Sequence, residues 1–180
     1  MGSLAKLGQA APDFTLPDLD GKPHRLVEQR GRIVVINFWS ATCPWTHKVD
    51  EVLAELRQTW GESVLLWLVV SGAKDSLEES RQAAQARRLS PVLKDPDHAV
   101  ADVYGAVTTP HFFVVDGAGV LRYQGALDDT TFQQRTPTRT YLADAIQALR
   151  QGQAPDPAET ASYGCILVRD VSPISPTGDS

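Results

Sequence analysis

The sequence predicts an α/β domain, a central mixed β-sheet flanked by helices, with an N-terminal extension and a C-terminal tail. Three observations carry this. Two short, continuous apolar runs, "RIVVINFW" and "VLLWLVVS", read as strands buried on both faces. Each is followed by a segment with helical spacing or helix-favouring composition. A third stretch, "HFFVVDGAGVLRYQG", reads as a β-hairpin and adds an antiparallel pair to the sheet.

In chain order, the opening "GQAAPDFTLPDLDGKPHRL" mixes Pro, Asp and Gly and reads as an extended arm turning at Asp20-Gly21. The first apolar strand follows at Arg32–Trp39. Val49, Val52, Leu53, Leu56 and Trp60 then share one face of a helix that Gly61 stops. The second strand is Val64–Ser71. Ser76 and Glu79 have capping-box spacing for an alanine-rich, charged surface helix reaching Arg88. "DPDHAVADVYG" predicts a short helix from near Asp97 to Gly105. The hairpin turns on Asp116-Gly117-Ala118-Gly119, and Tyr141, Leu142, Ala145, Ile146 and Leu149 form the apolar stripe of a last helix. The folded domain is therefore expected over residues 1–152. Residues 153–180 read as a Pro-containing linker and a tethered tail carrying "CILVRD", with a final stretch too polar to pack.

Composition narrows the function classes. The chain has 180 residues, 42% hydrophobic and 22% charged, values suited to one domain with a real core. A formal charge of −5 argues against a broad nucleic-acid-binding surface. No apolar run is long enough to span a membrane, and the N-terminus lacks the apolar core of a secretory signal, so a cytoplasmic location is expected. Cys43 and Cys165 are the only cysteines, too few for a disulfide scaffold or a four-cysteine zinc site. In a reducing compartment such a pair points to catalysis or redox sensing.

The chemistry centres on "FWSATCPWTHKV". Cys43 falls at a strand-to-helix junction with Pro44 close to N1, where unpaired N–H groups and the positive helix end stabilise a thiolate. That placement favours a nucleophile over an inert thiol packed between Trp39 and Trp45. His47 and Lys48, one turn away, could assist. Thr46 either donates a hydrogen bond to the thiolate or is a solvated helix-surface residue, and Ser40 offers a second hydroxyl or is an ordinary loop serine. Pro110 in "VTTPHFF" begins a strand in a special turn, with a cis peptide as one option, and His111 beside it is a pocket or a strand-surface residue. Cys43, His47 and His111 have donors that suit copper or zinc, but their spacing is not distinctive and scattered surface histidines are the favoured reading. No Gly-rich phosphate loop follows a strand, so a nucleotide cofactor has no support; with the histidines read as scattered, no cofactor and no metal are expected.

Several stretches together carry a family resemblance. "GQAAPDFTLPDLDGK" resembles the opening of redoxin and peroxiredoxin domains, and "INFWSATCPW" resembles their active-site strand and helix. "TTPHFFVVDGAGVLRYQG" resembles the cis-proline strand and hairpin of the thioredoxin fold, and "YLADAIQAL" with "ASYGCILVR" completes the order. On these motifs the chain is identified as a peroxiredoxin-like (redoxin, AhpC/TSA-type) member of the thioredoxin-fold superfamily, from about residue 8 to residue 169.

The resemblance implies a thioredoxin-like fold, Cys43 as the attacking cysteine, Pro110 as the cis proline facing it, and Cys165 as a terminal cysteine suited to a resolving role. Ser40 and Cys43 match the Ser/Thr-x-x-Cys part of the peroxiredoxin signature, while Ile36 stands where that signature has proline. Thr46 breaks the thioredoxin Cys-x-x-Cys, so no disulfide can close within that loop. The implied activity is a thiol-dependent oxidoreductase acting on a peroxide, with an external dithiol of thioredoxin type as reductant. Exchange with protein disulfides, and a non-catalytic redox-sensing or metal-carrying module, are the alternatives.

Overall fold

The structure, a computed structural model, describes residues 3–169. The N-terminal arm folds back on itself as a small antiparallel hairpin of β1 (Thr15–Pro17) and β2 (Pro23–Arg25). Its turn contains Gly21 at φ +86°, a backbone conformation that glycine adopts without penalty. β3 (Ile33–Phe38) is buried along its whole length, as its unbroken apolar character requires. α1 (Pro44–Trp60) follows and stops at Gly61. β4 (Val64–Val70) runs parallel to β3, and α2 (Leu77–Ala86) starts where the Ser76 side chain accepts the Glu79 N–H. β5 (Val92–Lys94), α3 (Ala99–Tyr104), the two-residue β6 (Thr108–Thr109), the hairpin of β7 (His111–Val115) and β8 (Leu121–Gly125), and α4 (Tyr141–Arg150) complete the domain.

The central sheet has the order β5-β4-β3-β7-β8, with the first three strands parallel and the last two antiparallel. This is the mixed, thioredoxin-like arrangement. On one face, Leu53 and Trp60 of α1 and Leu142, Ala145 and Ile146 of α4 pack on Val35, Phe112 and Val114. On the other, Val100, Ala101 and Tyr104 of α3, with Leu16 and Leu26 of the arm, cover Ile36, Phe38, Trp67 and Phe113. Burial on both faces holds β3 rigid, and its C-terminal end delivers the loop that carries Cys43.

The segment after α4 does not hang from the domain as a tether. Gln124 donates its N–H to the Ala158 carbonyl and receives one from Thr160, both at 3.0 Å. Further on, β9 (Cys165–Ile166) pairs antiparallel with β6. Leu167 is buried, with its N–H on the Val107 carbonyl, and Val168 accepts the Ala73 N–H. The physical reason is that Leu167 has an apolar site, and its N–H and the Val168 carbonyl both find main-chain partners on the domain. The polar stretch expected to stay unpacked, from residue 170 on, lies outside the described residues.

Candidate active site

Cys43 is the N-cap of the 17-residue α1, with extended backbone (φ −77°, ψ 122°) and Pro44 at the first helical position. Proline has no N–H to leave unpaired, so the helix begins without penalty. The first turn carries no acidic side chain, so no residue of the helix itself offsets its positive end beside the sulfur. Cys43 is only 4% exposed and is joined by a disulfide to Cys165, 122 positions away, with the two Cα atoms 6.1 Å apart. Cys165 stands opposite Thr109 in the β6–β9 ladder, and the Thr109–Pro110 peptide is cis.

Gly164 lets β9 approach this closely. A Cβ there would lie 2.2 Å from the Thr109 carbonyl oxygen and 2.9 Å from Pro110 Cδ, so only glycine fits. Cys43 Sγ lies 3.1 Å from the same Thr109 carbonyl. In the disulfide that sulfur has no proton to donate. In the reduced protein the carbonyl would favour a thiol and the helix terminus a thiolate, so the two oppose each other.

Thr46 is fully buried and does not face the sulfur. Its hydroxyl lies against the Ser40 carbonyl and the Cys43 carbonyl, the latter at 2.7 Å. A hydroxyl beside the opening of a helix meets main-chain acceptors first, so Thr46 fixes the turn that presents Cys43 and neither donates to the thiolate nor is solvated. Ser40 donates its hydroxyl to Asp75 and lies 3.3 Å from the Thr42 hydroxyl. Lys48 reaches away from the sulfurs to the Arg135 carbonyl at 3.1 Å, and His47 is exposed.

His111 is buried in β7, its ring 4.5 Å from that of Phe113, and its Nδ1 accepts the Val107 N–H at 3.4 Å. Burial pushes its pKa down to about 4, so the ring is neutral at physiological pH. Among the described residues, no group of three or more His, Cys, Asp and Glu side chains is placed to hold a metal ion.

Two features escape sequence reasoning. Asp75, just after β4, lines one groove with Ser40, Thr42, Thr109 and both cysteines, and burial raises its carboxyl pKa despite the Ser40 bond. Nothing local in "SGAKDS" marks it. Behind α1, Asp50 is 1% exposed and accepts bonds from Trp39 Nε1 at 3.0 Å and Arg87 Nη1 at 2.8 Å. Burial raises the Asp50 pKa, and those two bonds act against it. Arg87 also donates to the Ala41 carbonyl, so this buried network pins the loop from Trp39 to Cys43.

Comparison with known proteins adds the family context. Residues 7–124, which include Cys43 and Pro110 but stop short of Cys165, match the AhpC/TSA family. The thiol-disulfide oxidoreductase ResA of Geobacillus thermodenitrificans is 29% identical over 116 residues, 64% of this chain and 67% of that protein. A Mycobacterium tuberculosis protein provisionally named as a peroxiredoxin is 32% identical over 124 residues, 68% of this chain and 78% of its own length. The crystal structure of a hypothetical protein from Sinorhizobium meliloti superposes with a TM-score of 0.85 at 28% identity, covering 95% of this chain and 98% of that one. Among the described residues, no helix is long and apolar enough to cross a membrane.

Proposed function

Because this chain belongs to the AhpC/TSA family and is a thiol-dependent oxidoreductase, we propose that it reduces hydroperoxides, with Cys43 as nucleophile and Cys165 as resolving thiol. The observation that carries this reading is the Cys43–Cys165 disulfide formed at the N-cap of α1. The Cys43 thiolate attacks the terminal peroxide oxygen, the O–O bond breaks, and the departing alkoxide or hydroxide takes a proton from water. Cys43 is left as a sulfenic acid. Cys165 then displaces its hydroxyl as water and closes the disulfide, which an external dithiol of thioredoxin type reopens. The outcome is an antioxidant activity in a reducing, cytoplasmic setting.

The relatives named as thiol-disulfide oxidoreductases support a second reading, in which Cys43 attacks a protein disulfide and Cys165 releases the mixed intermediate. Peroxide consumption driven by a thioredoxin-recycling system, measured beside insulin reduction driven by dithiothreitol and counted above the protein-free rate, separates the two. Peroxide turnover that is lost in Cys43→Ser, with no insulin reduction, is the expected result. Insulin reduction without peroxide turnover would replace the first reading by the second.

A further inference from the structure

Two residues before Cys165, the ring of Tyr163 is held between two rings from distant parts of the chain. Its centroid lies 4.8 Å from that of Trp45 and 5.6 Å from that of Phe132, with interplanar angles of 89° and 73°. Trp45 and Phe132 meet each other at 5.0 Å and 83°. Edge-to-face pairs at such separations attract through their quadrupoles. The Tyr163 hydroxyl also accepts the Phe132 main-chain N–H at 3.0 Å.

The three rings connect the two halves of the redox pair. Trp45 is the second residue of α1, the helix capped by Cys43, whereas Tyr163 leads directly into the strand that begins with Cys165. Phe132 comes from the loop of residues 128–140, which Asp129 organises. Asp129 accepts hydrogen bonds from the side chains of Gln134 and Thr138 and from the main-chain N–H groups of Thr138 and Arg139. Phe132 keeps 67% of its surface exposed, so it adds nothing to either core, and Tyr163 and Trp45 are its ring contacts.

The geometry points to Tyr163 as a positioning residue, whose seat in the Trp45–Phe132 notch holds the Cys165 sulfur opposite Cys43 before any bond joins them. This rests on the oxidoreductase reading above. The β6–β9 ladder has only two residue pairs and is too short to fix the tail alone. Beyond Cys165 the tail is held by buried Leu167 and by Arg169, which donates to Asp102 and to the Ala106 carbonyl. On the other side Thr160 is tied to Gln124, Tyr123 and Ala126, and Tyr163 is the clamp nearest to Cys165. With both clamps closed, the Cys165 thiol already waits beside a Cys43 sulfenic acid. Its sulfur attacks the Cys43 sulfur, an S–S bond forms, the S–O bond breaks, and the hydroxyl leaves as water with the thiol proton. The pair thus reproduces the readiness of a Cys-x-x-Cys with its second thiol delivered from the far end of the chain.

The test is the effective concentration of Cys165 at Cys43, read from the disulfide fraction in glutathione buffers of graded ratio. Tyr163→Ala should lower it roughly tenfold, since it removes two ring contacts each worth a few-fold. Tyr163→Phe keeps both contacts and should stay within about threefold of wild type. Phe132→Ala, at an exposed position that threatens no core, should fall by about threefold and decides the matter if Tyr163→Ala folds poorly. The pH dependence of Cys43 alkylation in a Cys165→Ser background should not move when Tyr163→Ala is added. An effective concentration within about twofold of wild type in Tyr163→Ala, or in Phe132→Ala should the former not fold, overturns the proposal. A wild-type protein that turns over no oxidant, yet loses its disulfide in Tyr163→Ala, removes the functional reading and leaves the clamp standing.

Discussion

The sharpest test of the seated tail is Gly164→Ala. The added Cβ would meet the Thr109 carbonyl oxygen at 2.2 Å, the Thr109 carbonyl carbon at 2.7 Å and Pro110 Cδ at 2.9 Å. None of these atoms is the free end of a flexible side chain, so β9 itself must retreat by roughly 1 Å to restore ordinary contact. Overpacking of this kind costs ~1–3 kcal/mol, and the retreat stretches a ladder whose hydrogen bonds are worth ~1 kcal/mol each. A net loss of ~2 kcal/mol in the seated state corresponds to about a thirtyfold fall in the effective concentration of Cys165. Quantitative thiol labelling in glutathione buffers measures this directly. Ile166→Ser is the control, because Ile166 is 80% exposed and its side chain should not affect seating. A Gly164→Ala disulfide within about twofold of wild type would refute the claim that close approach at Gly164 sets the geometry.

Three further outcomes follow from other parts of the site. In the disulfide Cys43 is 4% exposed and Cys165 is less deeply buried, so glutathione should attack Cys165 and release Cys43; quenching with an alkylator and mapping the peptides should find glutathione on Cys165 and alkyl on Cys43, and the reverse pattern contradicts it. Thr46→Val removes a hydroxyl bonded to main-chain carbonyls, so it should cost ~1 kcal/mol of stability while leaving the Cys43 alkylation pKa within ~0.3 unit in a Cys165→Ser background; a larger pKa rise would return Thr46 to a role at the sulfur. Burial lowers the His111 pKa from 6.5 to about 4, so the folded state binds fewer protons than the unfolded chain between those values. That contribution is complete above 6.5 and lost as pH falls toward 4, up to ~3 kcal/mol. His111→Gln should flatten this part of the stability profile in denaturant titrations, and an unchanged slope would contradict the assignment.

What the sequence disclosed and what it withheld divide along physical lines. β3 and β4 were legible because burial on both faces demands an unbroken apolar run, and α1 because its apolar period ends at a glycine. Cys43 was legible because a strand, a cysteine and a proline at N1 sit within one short segment. β5, β6 and β9 were not, since pieces of two or three residues have no period and exist only through their partners. The aim of the Thr46 hydroxyl depended on which carbonyls the helix start exposes, and the reach of Lys48 depended on the Arg135 loop. The seating of Cys165 needed Gly164, Tyr163 and Leu167 to find sites far away in sequence. Asp75 joins the cysteines because the loop after β4 lines the same groove, a tertiary placement with no local signal.

The 122-residue span of the Cys43–Cys165 bond also couples redox state to the endurance of the protein itself. Closing a loop of that length removes ~5 kcal/mol of chain entropy from the unfolded ensemble in the loop-closure account, comparable to the whole stability of many domains. The oxidised form is therefore the robust one, and each reduction returns the molecule to a state that unfolds more readily. Under a strongly reducing thiol supply, the population exposed to proteolysis rises even though no residue has changed. A protein that cycles through this bond has its lifetime in the cell set partly by how long it spends waiting for oxidant.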